Sequence, residues 1–369
     1  MHYFTFAEKD TTLYQDSGSL NAGLDEVLEV RKDVSATGDT VNVSRILIKF
    51  NLGTISSSME NGAISNPKFY LNFYDAHPTA LATSSSLYAY PISGSWIMGD
   101  GRSYDNPVTT EGASWKYKNG ESDGTLWAEV SSSGGAWISG SLYEASMSLG
   151  HETKDIRMNV TDIVNKWLGT PSGKIPNEGF MVKRKGHVGN LASSSAEGST
   201  TRYGNLSFFS SDTHTKYPPT LETVWNDSKW NTGSLSPITG SDLEDMVMYM
   251  KGLRPEYKEK SKAKFRVVGR ERFPTKTYST TPANLNVKYL PSGSSFYSIK
   301  DAETDDVIVP YGTGSCLSCD SSGNYFNLWM DGYQPERYYS IEYRIRSGSG
   351  TVDEIDQYFD EGFTFKVSL

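Results

Sequence analysis

The second half of the chain alternates apolar and polar residues in short segments that are separated by turn-forming residues. Seven such segments follow Ala263, and they read KFRVVGRERF, NLNVKYLP, SFYSIKDA, DDVIVPY, YFNLWMDG, RYYSIEYRIR and EGFTFKVSL. A period of two places every second side chain on one face of a strand, whereas a helix needs a period near 3.6. The DAETDD stretch between the third and fourth segments predicts a hairpin turn. Residues 263–369 are therefore predicted to form an antiparallel β-sandwich.

The length and composition of the chain predict more than one domain, all of them built from β-strands. A chain of 369 residues exceeds the size at which one hydrophobic core stops growing, roughly 250–300 residues. Its 34 glycines, 23 tyrosines and 15 phenylalanines favour short strands joined by tight turns. A polar stretch that contains glycine and proline, Trp225 to Ser241, separates the two halves. We predict an N-terminal domain over residues 1–225, a linker with a short helix over 226–262, and a C-terminal domain over 263–369.

The predicted linking helix rests on its end signals and on the spacing of its apolar residues. Residues 241–244 match the capping-box pattern S-x-x-E, and Gly252 and Pro255 follow as end signals. Between these signals an apolar stripe with helical spacing consists of Leu243, Met246, Val247 and Met250. The stripe either packs into the core of its own domain or contacts a neighbouring subunit, because methionine-rich faces suit adaptable interfaces.

The N-terminal half contains a series of motifs in a consistent order. TTLYQDSGSLNAGLDEVLEV and SRILIKFNL are followed by Trp96, by Gly112-Ala113-Ser114-Trp115, by Trp127 and Gly134-Gly135, by NVTDIVNKWLGT, and by FFSSDTHTKYPPTLETVW. In this order, residues 1–225 resemble a DNRLRE-type jelly roll, a β-sandwich module of many secreted bacterial and archaeal proteins. One departure is that Ile97-Met98 replaces the acidic residue that is common after the first tryptophan of the family. The resemblance implies a fold but no single function, because one fold carries binding, structural and enzyme-appended roles.

Three blocks in the second half carry a further resemblance. They read KGLRPEYKEKSKAKFRV, YLPSGSSFYSIKDAETDDVIVPY, and YYSIEYRI followed by FDEGFTFKV. These blocks are similar to the C-terminal β-domain of structural proteins from large tailed bacteriophages. The first residues, MHYFTFAEKDTT, lack the basic and apolar regions of a signal peptide, so synthesis in the host cytoplasm is predicted.

These features predict a virion structural protein that acts by protein–protein assembly at the neck, tail, baseplate or capsid surface. Its expected partners are other virion structural proteins and further copies of itself in a symmetric assembly. The alternative is a carbohydrate-binding module that recognises host-surface or matrix polysaccharide. A net charge of −9 argues against nucleic-acid and anionic-membrane partners, and no apolar run approaches the ~18–20 residues of a membrane span.

Four aromatic residues are the candidates for contact with a glycan. They are Trp96, Tyr104, Trp115 and Trp127, in the glycine-rich region of the first domain. Exposed aromatic rings could stack on the apolar faces of sugar rings, because their own faces are flat and apolar. The alternative is that these rings pack long loops onto the sandwich. The sequence does not distinguish the two roles, since both use the same residue types.

No catalytic, cofactor or metal site is predicted. The chain shows neither a G-x-S-x-G element nor a Walker A loop, so we expect a non-enzymatic protein without a cofactor. Cys316 and Cys319 form a C-x-x-C pair, but the five histidines show no ligand spacing, so two reduced thiols are expected. The acidic residues near the first strands could supply oxygen ligands to a structural Ca²⁺, although no D-x-D-x-D-G loop is present. They are Asp10, Asp16, Asp25 and Glu26.

Overall fold

The computed structural model shows an all-β protein with sheets in sandwich-like arrangements, which confirms the predicted fold class. It describes residues 1–35, 41–79, 81–82, 84–127, 134–150, 155–169, 173–186, 196–238, 243, 246–274, 278, 280, 287–347 and 354–369. The described residues form 21 strands and two α-helices. Short 3₁₀ turns occur at Thr313–Ser315 and Met330–Gly332.

The first twelve strands and both helices lie before residue 252. The strands are β1 His2–Tyr14, β2 Val27–Val34, β3 Val41–Phe50, β4 Lys68–Phe73, β5 Ser85–Pro91, β6 Ala145–Leu149, β7 Ile156–Asn159, β8 Phe180–Lys183, β9 Gly204–Phe209, β10 Thr220–Val224, β11 Ser236–Pro237 and β12 Met246–Lys251. The helices are α1 Gly53–Glu60 and α2 Thr161–Leu168.

Seven of the nine remaining strands fall on the alternating segments of the second half of the sequence. The nine strands are β13 Glu256–Lys258, β14 Lys262–Glu271, β15 Lys288–Tyr289, β16 Ser295–Asp301, β17 Val307–Val309, β18 Ser318–Asp320, β19 Gly323–Trp329, β20 Tyr338–Ser347 and β21 Ile355–Ser368. Of these, β13 and β18 lie outside the alternating segments. β16 and β17 pair antiparallel, as the hairpin prediction for DAETDD requires.

The chain divides into two compact units. The N-terminal unit comprises Thr5–Ala63 and Lys68–Thr223. The C-terminal unit comprises Met1–Phe4, Ile64–Pro67 and Val224–Leu369. The chain therefore passes from one unit to the other at four points rather than once.

The N-terminal unit is built on one sheet in which most neighbouring strands are antiparallel. The strand order is β6-β5-β8-β3-β1-β10-β4-β7, and β2 pairs with both β3 and β9. The NVTDIVNKWLGT motif forms α2, whose apolar residues face inward at helical spacing. The ring of Trp167 on this helix packs against Phe180 of β8, with 4.5 Å between ring centroids.

The C-terminal unit is a sandwich of two sheets. One sheet has the order β11-β15-β14-β19-β18 with β12 added on β14, and the other has the order β13-β21-β20-β16-β17. Because the strands of both sheets alternate, aromatic side chains from each sheet point into one shared core. In this core Phe326 of the first sheet stacks on Tyr297 of the second, with 4.1 Å between ring centroids.

The structure contradicts the predicted linking helix over Met246–Lys251, whereas the predicted capping box at 241–244 lies outside the described residues except for Leu243. Met246–Lys251 is strand β12, which pairs antiparallel with β14 so that Met248 lies opposite Gly269. Met246 and Met248 are buried in the core of the C-terminal unit, whereas Val247 between them is only half-buried. This alternation of buried and half-buried side chains has the period of two that a strand produces. The segment before β12 also belongs to this unit, since β11 pairs with β15.

The predicted assembly face of that helix is therefore absent. Of its four residues, Leu243 and Met246 are buried and Met250 packs against the same core. Val247 does not share a stripe with them, because a strand places it on the opposite face from its neighbours.

Candidate functional site

Three of the four candidate glycan-binding rings are buried in the N-terminal unit. Trp96, Trp115 and Trp127 are each at most 5% exposed and pack in one apolar cluster with residues such as Leu13 and Met181. Two of the indole N–H groups are also satisfied internally, because Trp96 donates to the Glu178 carbonyl and Trp127 to the Ser114 carbonyl, both at 2.9 Å. Stacking on a sugar requires an open ring face. The structure corrects the expectation for these three residues, which pack the loops onto the sheet.

Tyr104 is the one open ring among the four candidates. Its side chain is 73% exposed. The turn that carries it is fixed by its neighbours, since the backbone N–H of Ser103 donates to Asp25 at 2.9 Å and that of Arg102 donates to Asp105 at 2.8 Å. Tyr104 therefore offers a single aromatic contact on a well-defined turn.

The four acidic residues considered for calcium do not form one site. Asp16 pairs with Arg31 at 2.5 Å, Asp25 accepts hydrogen bonds from Ser103, and Glu26 is exposed. Asp10 lies fully buried on β1, where one carboxylate oxygen accepts from the Ser211 N–H at 2.9 Å. Across the described ranges, no three His, Cys, Asp or Glu side chains are grouped so that they could hold a metal ion.

The two cysteines are free thiols on the C-terminal unit. Cys319 is buried on β18 and Cys316 is half-buried just before it. Burial raises the pKa of both thiols, and for Cys319 to about 11, to which the nearby Asp320 carboxylate contributes. A high pKa keeps a thiol protonated and poorly nucleophilic at neutral pH.

A polar cleft of about 260 Å³ lies at the start of α2 in the N-terminal unit. Its lining includes Lys68, Glu144 and Asp162. The carboxylate of Glu144 is held by the hydroxyl of Tyr90, which donates to it at 2.8 Å. Burial, followed by this hydrogen bond, raises the pKa of Tyr90. Of the two acidic residues in the lining, Glu144 therefore already takes part in a structural hydrogen bond.

The outward face of the sheet that contains β20 has the clearest features of a binding surface. We call it the Tyr–Arg face and define it by Phe296, Tyr311, Tyr338, Arg344 and Tyr358. Strand alternation positions it, because the odd-numbered residues of β20 enter the core and the even-numbered ones point away from it. Cross-strand pairing then places Arg344 directly between Phe296 of β16 and Tyr358 of β21.

Aromatic rings surround the guanidinium group of Arg344. Its central carbon lies 4.7 Å from the centroid of the Phe296 ring and 5.2 Å from that of the Tyr311 ring. The ring of Tyr358 meets that of Tyr311 edge-on, with 5.8 Å between centroids. Such cation–π and edge-to-face contacts hold the side chains in one arrangement before any partner arrives.

Ion pairs frame the Tyr–Arg face. Arg346 donates two hydrogen bonds to Asp356, at 2.7 and 3.0 Å, and this pairing lowers the pKa of Asp356. Lys300 donates to Glu342 at 2.5 Å, and the hydroxyl of Tyr311 donates to the same carboxylate at 3.3 Å. Burial, followed by the nearby charge of Glu342, raises the pKa of Tyr311. The face therefore carries both signs of charge in fixed positions.

Large apolar and aromatic side chains remain open on this face. Tyr358 is 63% exposed and Tyr338 is 50% exposed, and Val307 of β17 lies on the same side of the sheet because it pairs with Lys300. Sequence alternation predicted the strands that carry Phe296, Val307 and Tyr338, whereas Tyr358 lies before the last predicted segment, EGFTFKVSL. The exposure of this face was not predictable from alternation, because residues distant in sequence determine whether a face is covered.

No protein-family model matches this chain, and no match was found among curated proteins. The likeness to DNRLRE modules and to phage structural proteins thus rests on the sequence motifs alone. Among the described residues, no helix is long and apolar enough to cross a bilayer.

Proposed function

We propose that this protein is a non-enzymatic structural component of a tailed-phage particle and that it functions by protein–protein assembly. The Tyr–Arg face is the observation that supports the assembly role. Tyrosine and arginine are enriched in the residues that dominate binding energy at protein interfaces. The two sequence resemblances supply the expected setting, a particle built from repeated subunits.

The fixed geometry of the Tyr–Arg face suits a protein partner. Because Arg344 is already held between two rings, little side-chain entropy is lost when a partner covers it. The neighbouring charges of Lys300, Glu342, Arg346 and Asp356 form a polar rim of both signs, which gives directionality to docking. The expected partner is another subunit of the particle, including a further copy of this chain.

Truncation of Tyr358 tests this assignment. Tyr358→Ala removes an exposed ring without opening the core, so we expect its incorporation into particles to fall at least about tenfold, as for a central interface residue. Quantitative mass spectrometry of purified particles measures the occupancy. Tyr249→Ala is the matched control, because Tyr249 is an exposed tyrosine on the other sheet of the same unit. Normal occupancy of Tyr358→Ala would contradict the proposed contact.

Carbohydrate binding is the second candidate, and the same face supports it. The adjacent rings of Tyr311 and Tyr358 lie beside the carboxylate of Glu342 and the ion pair of Arg346, which is the mixture of stacking and polar groups that a sugar requires. A glycan array separates the candidates. Retention of a polysaccharide that is lost in Tyr358→Ala and kept in Tyr249→Ala would favour the carbohydrate role over assembly.

A further inference from the structure

The N-terminal unit buries four basic side chains close to a single carboxylate. Lys32, Arg45, Lys183 and Arg184 are each at most 1% exposed, and Glu197 is 1% exposed. Taking an ion out of water costs several kcal/mol unless an opposite charge compensates it. The hydrogen-bond partners of the four basic groups show which of them lack a compensating negative charge.

Glu197 is occupied by two of the four cations. Arg45 donates to both of its carboxylate oxygens, at 3.1 and 2.7 Å, and the ammonium of Lys183 lies 3.1 Å from one of them. The rings of Trp115 and Trp137 lie 4.7 and 5.1 Å from the guanidinium carbon of Arg45. Arg45, Lys183 and Glu197 thus form a closed group that uses the whole carboxylate.

Lys32 and Arg184 have only backbone carbonyls as hydrogen-bond partners in the described chain. Lys32 donates to the Ser199 carbonyl at 2.7 Å, and one guanidinium nitrogen of Arg184 donates to the Tyr203 carbonyl at 3.3 Å. The Nε and Nη1 atoms of Arg184 are buried and have no hydrogen-bond partner. Tyr203 links the two residues, because its carbonyl accepts from Arg184 and its backbone N–H donates to the Lys32 carbonyl at 3.1 Å. Their charges are close enough for that of Arg184 to act on the pKa of Lys32.

Both groups keep their charge near neutral pH. Burial lowers the pKa of Arg184 to about 10 and that of Lys32 to about 8. The charge of Glu197 opposes both shifts, and the charge of Arg184 adds to the shift at Lys32. Among the described residues, Arg184 is left with unpaired N–H donors, and neither Lys32 nor Arg184 donates a hydrogen bond to a carboxylate.

We propose that a small inorganic anion, chloride in the first instance, binds between the ammonium of Lys32 and the guanidinium of Arg184. The ion would accept hydrogen bonds from donors that the protein leaves unpaired and would offset the excess positive charge. A monovalent ion fits this enclosed position, because its desolvation costs less than that of a divalent phosphate or sulfate. The site is structural, since both side chains are hidden from solvent.

Thermal unfolding of the full chain tests the site. The buffer initially contains gluconate, which is too bulky to enter the site, and chloride then replaces it stepwise at constant ionic strength. The melting temperature should rise by roughly 3 °C or more and then saturate, because a ligand that binds only the folded state stabilises it. Arg184→Gln and Lys32→Gln should abolish the response. A flat response in the wild type, or an unchanged one in Arg184→Gln, overturns the proposal.

Arg202→Gln is the matched control for lost charge. Arg202 pairs with Asp33 at 3.1 Å on the surface, so this variant should keep the full chloride response. A crystal of the wild-type chain soaked in bromide gives a test that needs no variant. An anomalous peak within hydrogen-bonding distance of Lys32 Nζ or the Arg184 guanidinium supports the site, and peaks confined to the surface overturn it.

Discussion

Two inward-facing tyrosines on β20 differ in the partner of the hydroxyl group. Tyr339 donates to the Gln334 carbonyl at 2.9 Å, whereas the buried hydroxyl of Tyr343 has no hydrogen-bond partner. Both rings belong to the core of the C-terminal unit. A buried polar group without a partner costs free energy, and removing it relieves that cost.

Substitution by phenylalanine should therefore have opposite effects at the two positions. Tyr343→Phe should raise the free energy of unfolding by about 1 kcal/mol, because it removes an unsatisfied hydroxyl and keeps the ring. Tyr339→Phe should lower it by a similar amount, since the Gln334 carbonyl loses its donor. Urea unfolding followed by tyrosine fluorescence measures both. Destabilisation of equal size in the two variants would contradict this reading.

Asp10 makes the free energy of unfolding depend on pH, and the direction of its pKa shift gives the sign of that dependence. Burial raises the pKa of Asp10 to about 7 from its ordinary 3.8, against the opposing hydrogen bond from Ser211. Between those two values the folded state holds a proton that the unfolded state has released. The free energy of unfolding therefore falls as the pH rises through this window, and it levels off above about pH 7.

Asp10→Asn should remove this dependence. Asparagine stays neutral and can still accept the hydrogen bond from Ser211, so above pH 7 the variant should exceed the wild type in stability by roughly 2–4 kcal/mol. Near pH 4 the two proteins should be about equal. Urea titrations at several pH values measure the difference, and parallel curves for the two proteins would exclude the effect.

Among the elements, β12 shows how one segment can satisfy two periodicities. Met246, Met248 and Met250 recur with the period of a strand, while Met246, Val247 and Met250 also fit one face of a helix. The pairing with β14 selects the strand, and with it the burial of Met248. A helix would instead have placed Met248 away from the apolar stripe.

Met248 therefore distinguishes the strand from the helix. Met248→Asp should lower the free energy of unfolding of the C-terminal unit by about 3 kcal/mol or more, because it buries an unpaired charge. Tyr249→Asp, one residue further on the open side, should cost at most about 1 kcal/mol. Chemical denaturation compares the two. A larger loss at Tyr249 would contradict the observed face of β12.

The strands of the second half were predictable because alternation is local, as in SFYSIKDA and RYYSIEYRIR. The Tyr–Arg face was less predictable, because its decisive contacts, such as that of Arg344 with Phe296, join residues of different strands. The same holds for the buried charges and rings of the N-terminal unit. Arg45 and Glu197 are 152 positions apart, and nothing near either of them in sequence marks a buried ion pair. The burial of Trp96 likewise depends on packing against β-strand residues such as Leu13 and Met181. Residue type indicated a flat apolar ring, but tertiary packing determined whether it was open.

At the scale of the whole molecule, the C-terminal unit includes the first four residues of the chain. Phe4 lies in its core, the ring of Tyr3 packs 5.3 Å from that of Trp329, and the hydroxyl of Tyr3 donates to Asp331 at 3.0 Å. A fragment that begins at Val224 lacks all of these contacts.

Residues 224–369 expressed alone should consequently be less stable than the same unit in the full chain, by roughly 3–5 kcal/mol for the loss of a buried aromatic residue. Urea unfolding reported by core tryptophan fluorescence measures the difference. Tyr3→Ala in the full chain should reproduce part of the loss. Equal midpoints for fragment and full chain would show that residues 1–4 add nothing to this unit.

The shared membership of Met1–Phe4 and Leu369 in one unit also sets the path of a mechanical load. Tension applied between Met1 and Leu369 is carried through the C-terminal unit alone for as long as Met1–Phe4 stays bound to that unit. No tension passes through the N-terminal unit during that phase. Only after Met1–Phe4 has detached is tension transmitted to Thr5 and the rest of β1, so stretching should begin with a short, early rupture.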